Sequence, residues 1–200
     1  MIIVSNLQKS FGPKQVLKGV NLKIYDGESL VILGPSGCGK SVLLKNIIGL
    51  MKPDAGQVII DGEDITRFEQ KKLDALRMRM GMLFQSAALF DSLNVKENVA
   101  FGLRRHTSLS NRAIHHIVSE KLEMVGLPGT NYLMPSELSG GMRKRVGLAR
   151  AIAMEPEIIL YDEPTTGLDP IMTSAIDELH LSLKERLGVT SIVVTHDLKS

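Results

Sequence analysis

Hydrophobic and polar residues follow two different periods along this chain. Short runs rich in Val, Ile and Leu, separated by turn sequences such as FGPK and DGE, are typical of β-strands. Strands are therefore predicted at 2–7, 16–25, 29–33, 57–62, 81–85, 157–163 and 190–196. Apolar residues at helical spacing instead predict helices at 40–50, 71–80, 94–103, 112–126, 140–154 and 174–187.

The order of these elements predicts an α/β fold. Strands that alternate with helices favour a mostly parallel sheet, with antiparallel strands at the N-terminal end. Between residues 86 and 153 only helices are predicted, which indicates a helical insertion into a core formed by 1–85 and 154–200. The chain ends four residues after the last predicted strand, which is abrupt for a sheet domain, so we expect a truncated C-terminus.

Composition narrows the class of protein. The 200 residues suit one domain, and 24 Lys and Arg against 22 Asp and Glu give a net charge of +2, which offers no case for a nucleic-acid partner. Cys38 is the only cysteine, so no internal disulfide can form and a reducing cytoplasm fits the chain. No apolar run approaches the ~20 residues that a transmembrane helix needs. Any membrane function would therefore depend on another chain.

The most specific motif is GPSGCGKS at 34–41, between a predicted strand and a predicted helix. It matches the phosphate-loop pattern, in which glycines let backbone N–H groups surround phosphates at a helix N-terminus. Lys40 would reach the β- and γ-phosphates, and the hydroxyl of Ser41 would bind Mg²⁺. A tight turn without a ligand is the alternative. The predicted nucleotide contacts are Gly34, Pro35, Ser36, Gly37, Cys38, Gly39, Lys40, Ser41 and Val42.

Two carboxylates end the apolar run at 157–163. Ligands bind beyond the carboxyl ends of parallel strands, where the phosphate loop would also lie. Asp162 therefore suits the Mg²⁺ shell, and Glu163 could polarise a water for attack on the γ-phosphate. The alternative is a pair of exposed acids beside Pro164; together with the phosphate loop, the pattern favours a hydrolase.

A second glycine-rich turn, LSGGMRKR at 138–145, also begins a predicted helix. Ser139 occupies the N-cap position, and a serine, two glycines and a helix N-terminus can form a second anion site. For LSGG alone, a capped helix start is the simpler interpretation. The side chains of Arg143, Lys144 and Arg145 spread around more than half of the circumference of the helix, so we expect most of them to lie on the solvated surface.

These motifs resemble those of the ATPase subunits of ABC transporters, and the resemblance covers essentially all 200 residues as a single ATP-binding cassette. LSGGM stands where that family has its LSGGQ signature. The resemblance implies a P-loop NTPase core, ATP and Mg²⁺ as ligands, and two copies packed head to tail as a homodimer. Ser139, Gly140 and Gly141 would then contact the ATP held by the partner's phosphate loop.

The resemblance also assigns roles to isolated residues. Gln85 matches the Q-loop glutamine, which touches Mg²⁺ and the attacking water. Asp169 matches the D-loop that crosses the dimer interface, and His196 matches the switch histidine at the γ-phosphate. Phe11 resembles the aromatic residue that stacks on adenine, although aromatic residues in strands usually belong to the core.

The segment LFQSAALFDSLNVKENVAFGL at 83–103 is unusually apolar. We expect it to form the core of the helical insertion. In the family that the chain resembles, the membrane subunit docks into a groove here, so the segment can serve both purposes.

Three functions are open, and transport is favoured. A soluble ABC-type ATPase of DNA repair, chromosome structure or translation fits less well, because the chain has one cassette and no sustained heptads. A regulator that binds a nucleotide without hydrolysing it also fits less well, because Glu163 could activate a water for hydrolysis.

Within transporters, the segments 83–104, 137–153 and 162–171, including Met142 in place of glutamine, look most like Mla-type phospholipid-transport ATPases. This likeness implies integral-membrane permease subunits, an Mce-domain protein as a possible further partner, and a cytoplasmic location on the inner face of the cell membrane. An amino-acid or other small-solute importer is the alternative.

Overall fold

The structure is a computed structural model that describes residues 1–196. An antiparallel sheet contains β1 (Ile2–Phe11), β2 (Lys14–Ile24), β4 (Ala55–Ile60) and β5 (Glu63–Asp64) in the order β2-β1-β4-β5. A parallel sheet contains β3 (Ser29–Leu33), β6 (Met80–Leu83), β7 (Ile158–Asp162) and β8 (Thr190–Thr195) in the order β3-β8-β7-β6. The predicted α/β class, with antiparallel strands near the N-terminus and a parallel sheet, is confirmed.

Six α-helices accompany these sheets within residues 1–196. They are α1 (Lys40–Ile47), α2 (Gln70–Arg77), α3 (Val95–His106), α4 (Asn111–Met124), α5 (Gly140–Ile152) and α6 (Pro170–Leu187). Short 3₁₀ helices lie at Ile65–Arg67 and Pro135–Glu137. None of the helices in this part of the chain combines the length and apolarity that crossing a bilayer requires.

The parallel sheet is covered on both faces, which explains its uninterrupted apolar strands. Alternate residues of β7 point to opposite sides: Ile158 and Leu160 pack with α1 and the antiparallel sheet, whereas Ile159 and Tyr161 pack with the helical layer. That layer consists of α3, α4 and α5, whose buried side chains share one hydrophobic cluster. The carboxyl ends of the four parallel strands are thereby held at one edge, between two packed layers.

Several element boundaries differ from the sequence prediction, and two of these differences have a clear structural cause. The helix predicted at 71–80 ends at Arg77, because Met80 pairs with Ile158 and begins β6. The last helix begins at Pro170 rather than at 174, because the Asp169 side chain accepts hydrogen bonds from Ile171 N at 3.0 Å and Met172 N at 2.9 Å. An N-cap with proline directly after it is a favourable helix start that apolar periodicity alone does not reveal.

Candidate active site

The predicted phosphate loop connects β3 to α1. Gly34 N donates to Thr195 O of the neighbouring strand at 3.3 Å, which fixes the start of the loop. The N-cap of α1 is Gly39, with φ of +110° and no side-chain hydrogen bond to the helix. A Cβ at Gly39 would lie 2.8 Å from Val16 Cγ1, so both the backbone angle and the space require glycine. The first turn of α1 therefore offers N–H groups that no side-chain cap satisfies.

The other residues of the loop have simpler surroundings. Cys38 is exposed, and its N–H donates to Pro35 O at 3.3 Å. Val42 packs against the core beneath α1. Ser36 and Gly37 form the exposed outer part of the turn. The loop is therefore a backbone cradle with few side chains of its own.

Lys40 and Ser41 connect this loop to the end of β7. Lys40 is 6% exposed; its Nζ donates to Gly34 O at 2.7 Å and Pro35 O at 3.1 Å, and lies 3.3 Å from Glu163 Oε1. Ser41 Oγ donates to Asp162 Oδ1 at 2.7 Å. Two motifs 121 residues apart in the sequence thus meet through a hydroxyl and a carboxylate.

Glu163 is the centre of this arrangement. It is 7% exposed, its φ is +50°, and its N–H donates to Val194 O at 2.9 Å. Its Oε2 accepts a hydrogen bond from Thr166 Oγ1 at 2.7 Å and lies 2.7 Å from His196 Nδ1. Burial acts to raise the pKa of this carboxyl, but hydrogen bonds from Thr166, His196 and Lys40 outweigh burial, so the pKa lies below its ordinary value. Glu163 is therefore ionised at neutral pH.

Gln85 borders the same site. It follows β6, the neighbour of β7 in the sheet, and is exposed. Together with Asp162 and Thr166 it lines a cavity of about 420 Å³. The structure thus brings together Lys40, Ser41, Gln85, Asp162, Glu163 and His196, all predicted from the sequence. Thr166 was missed, because a threonine three residues after an acid carries no signal of its own.

The donor set around Ser41 suits a magnesium ion. Mg²⁺ prefers oxygen ligands and keeps several waters, so it needs only one or two protein oxygens besides phosphate. The Ser41 hydroxyl and the Asp162 carboxylate meet at the phosphate loop, and Gln85 lines the same cavity as Asp162. Within residues 1–196 no group of three or more His, Cys, Asp or Glu side chains could hold a metal by itself.

Phe11 lies apart from this cluster. It ends β1, pairs with Lys14 of β2, and is 47% exposed, so it does not belong to the core. β2 also carries Val16, whose side chain borders Gly39 of the phosphate loop. The exposed ring therefore stands on the sheet that adjoins the phosphate loop.

The LSGGM turn begins α5 as predicted. Ser139 is the N-cap, and its Oγ accepts a hydrogen bond from Met142 N at 3.2 Å. Gly140 and Gly141 form the first turn and approach Leu168 and Met172, at the start of α6. Asp169 caps α6. Within its own chain, each of Ser139 and Asp169 therefore caps a helix, and the two helix starts are adjacent.

The expectation that most of the cations after LSGGM are solvated is wrong. Arg143 is exposed, but Arg145 is half-buried and Lys144 is only 5% exposed. The Lys144 Nζ donates to Gln85 O, and to Glu163 O at 3.2 Å. Burial lowers the pKa of Lys144, and the nearby Asp162 and Glu163 oppose that shift. Lys144 faces the ends of β6 and β7, where backbone carbonyls leave the sheet and need donors.

The apolar segment 83–103 serves the core and also reaches the surface. Val95, Val99 and Leu103 are buried in the helical layer. Phe90 and Phe101 are 42% and 43% exposed, with ring centroids 4.6 Å apart. They line a groove of about 650 Å³ whose other apolar walls include Leu50, Met78 and Met154, and whose rim carries Arg105, His106 and Arg150.

The chain is similar in sequence to known proteins. Residues 17–166 match the model of the family described as ABC transporter. The chain is 49% identical over 199 residues to the intermembrane phospholipid transport system ATP-binding protein MlaF of Haemophilus influenzae, covering 100% of this chain and 75% of that protein. It is 48% identical over 197 residues to the probable ribonucleotide transport ATP-binding protein mkl of Mycobacterium leprae, covering 98% of this chain and 57% of that protein.

Solved structures give the same result. The chain superposes with a TM-score of 0.91 and 37% identity on a dimeric post-hydrolysis ATP-binding cassette, MJ0796, bound to ADP and Pi. That match covers 99% of this chain and 89% of the other. A cbiO1 protein from Clostridium perfringens, part of an ABC transporter complex, matches with a TM-score of 0.87 and 35% identity over 98% and 78% of the two chains. The chain spans a little over half the length of the mycobacterial relatives.

Proposed function

We propose that this chain, which belongs to the ABC transporter family, is the ATP-hydrolysing subunit of a phospholipid transporter. The observation that carries the ATPase proposal is the convergence of Lys40, Ser41, Asp162 and His196 around the buried, ionised Glu163. The lipid proposal rests on the likeness to MlaF, which covers three quarters of that protein.

In the proposed reaction, each group acts on a specific part of ATP. The phosphate loop and the Lys40 ammonium would bind the β- and γ-phosphates, and Ser41, Asp162 and Gln85 would hold Mg²⁺, whose charge would offset that of the phosphates. Glu163 accepts a proton from water as the water oxygen bonds to the γ-phosphorus and the bond to the bridging oxygen of ADP breaks. His196 orients Glu163 and contacts the γ-phosphate, and Phe11 stacks on adenine.

The complete site requires a second copy of the chain, packed head to tail. The N-terminus of α5 presents Ser139, Gly140 and Gly141, and the adjoining start of α6 presents Asp169. In its own chain the Ser139 hydroxyl accepts only from Met142 N, so the first N–H groups of α5 can donate to a partner's phosphates. The dimeric state of the MJ0796 cassette supports a dimer of this chain.

Separate membrane subunits would convert closure of this dimer into transport, with the cassette on the cytoplasmic face of the cell membrane. In this proposal residues 86–153 form the helical insertion, and its groove at Phe90 and Phe101 receives an apolar segment of a permease subunit. The basic rim formed by Arg105 and His106 favours a segment that also carries an acidic residue. An Mce-domain protein is a further proposed partner.

A small-solute importer is the second candidate. The likeness to mkl, which is described as a probable ribonucleotide transport protein, favours it. The neighbouring genes distinguish these two functions. A permease gene beside a gene for an Mce-domain protein supports phospholipid transport, and a gene for a solute-binding protein supports a small-solute importer.

The ATPase proposal is tested with Glu163→Gln, which keeps the size of the side chain and removes the base. We expect ATP hydrolysis to fall by at least about 100-fold while ATP binding remains. A dimer should therefore accumulate in the presence of ATP and be detected by size-exclusion chromatography. Glu185→Gln, at an exposed position of α6, is the matched control. Turnover at the wild-type rate in Glu163→Gln would exclude Glu163 as the base.

A further inference from the structure

We propose that Lys144 is a positioning residue that fixes the segments of Gln85 and Glu163 to helix α5. The helix that carries LSGGM for the partner's nucleotide would thereby also set the geometry of its own subunit's site. This inference rests on the proposed ATPase function and adds to it a connection within one chain between the two half-sites.

The contacts of Lys144 are specific to two residues of the site. Its ammonium group donates to the backbone carbonyls of Gln85 and Glu163, which follow the adjacent strands β6 and β7. The ammonium is withdrawn from solvent, and burial of such a group is unfavourable unless its donors are used. Separating the two carbonyls from α5 would leave a buried charge without these partners, so the three segments are expected to move together.

Helix α5 also holds the loop that follows Gln85 at a second point. The Arg150 guanidinium donates to Ala87 O and Ala88 O, both at 2.7 Å. Ala87 and Ala88 have φ of +62° and +48°, a conformation that non-glycine residues adopt only when their surroundings impose it. Gly147 lies between the two cations, and a Cβ there would be 2.9 Å from Leu83 Cδ1 of β6 and 3.1 Å from Ala87 Cβ of the loop, so the helix closely contacts both.

Glu163 is therefore held at two points, its side chain and its backbone. Lys40 contacts the Glu163 side chain from the phosphate loop, and Lys144 contacts the Glu163 carbonyl from α5. A displacement of α5 when its N-terminus meets the partner's nucleotide would shift the Glu163 and Gln85 backbones without passing through the nucleotide of their own site. Misplacement of a reacting group by about 1 Å can reduce a rate by about 100-fold, so a small displacement is sufficient.

The test compares two buried lysines that differ in location. Lys144→Met removes the donors and keeps the length of the side chain. Lys121→Met is the matched control, because Lys121 is 2% exposed and pairs with Glu120 and Glu155, away from the site. We measure kcat and KM for ATP, binding of a fluorescent ATP analogue, and thermal unfolding for the wild type and for each variant.

We expect Lys144→Met to lower kcat by at least about tenfold, with KM and nucleotide affinity changed by less than about threefold. Lys144→Arg, which restores donors, should recover part of kcat. Lys121→Met should keep kcat within about twofold of the wild type even if its unfolding temperature falls.

A folded Lys144→Met with kcat within about twofold of the wild type would overturn the inference, as would an equal loss of kcat in Lys121→Met. If Lys144→Met does not fold, Lys144→Gln takes its place under the same criteria. A wild-type protein that binds but never hydrolyses ATP would instead overturn the proposed function, which separates the two failures.

Discussion

The two helices that begin at glycine-rich turns, α1 and α5, differ in how their N-termini are satisfied. The N-cap of α1 is a left-handed glycine without a side-chain hydrogen bond, whereas Ser139 caps α5 in an extended conformation through its hydroxyl. The first turn of α1 has no side-chain acceptor for its N–H groups, whereas at the start of α5 the Ser139 hydroxyl satisfies one N–H group, that of Met142. The first suits a resident nucleotide and the second a surface that meets a nucleotide only on dimerisation.

Both helices also direct a buried lysine at the same glutamate. Lys40, at the first position of α1, lies 3.3 Å from the Glu163 carboxylate, and Lys144, one turn into α5, donates to the Glu163 carbonyl at 3.2 Å. One cation therefore acts on the side chain that would react and the other on the backbone that positions it. The variants below separate these two functions.

The largest effect is expected for Lys40→Ala. In the proposed mechanism this variant loses a preorganised charge at the γ-phosphate, so hydrolysis should fall by at least roughly 100-fold. Release of phosphate is the measurement, and Lys52→Ala, at an exposed position after α1, is the control. Hydrolysis in Lys40→Ala at more than about a tenth of the wild-type rate would contradict the assignment of this loop as the ATP phosphate site.

A smaller effect should distinguish the glycines of the two turns. Gly39→Ala imposes a side chain on a φ of +110° and brings Cβ to 2.8 Å from Val16 Cγ1. We expect it to lower the free energy of unfolding by roughly 1–3 kcal/mol and to weaken nucleotide binding. Gly140→Ala places Cβ at an ordinary 3.6 Å from Leu168, so stability and nucleotide binding by the monomer should remain close to wild type.

Urea unfolding and titration of a fluorescent ATP analogue check this pair of variants. Equal losses of stability and of nucleotide binding in Gly39→Ala and Gly140→Ala would contradict the difference between the turns. Of these two positions, only Gly39 combines a left-handed backbone with a close contact.

The sequence predicted the phosphate loop and the Ser139 cap because each depends on neighbouring residues: a strand, a glycine-rich turn and a helix start. Gln85 and His196 were identified only through resemblance, because their function depends on strands that meet in three dimensions. Lys144 was misjudged for the same reason. The carbonyls that it satisfies lie 59 and 19 residues away, and three successive cations cannot show by periodicity which one turns inward.

The central claim is that α1 binds the nucleotide of its own subunit and α5 that of its partner. Mixing Ser139→Arg chains with Lys40→Ala chains tests this directly, because a heterodimer would combine both defects in one site and leave the other site intact. Each variant alone should be inactive. In an equal mixture roughly half of the dimers are heterodimers with one intact site of two, so hydrolysis should reach no more than roughly a quarter of the wild-type rate. If both variants fold and no ratio of the two restores hydrolysis, the head-to-tail account is contradicted.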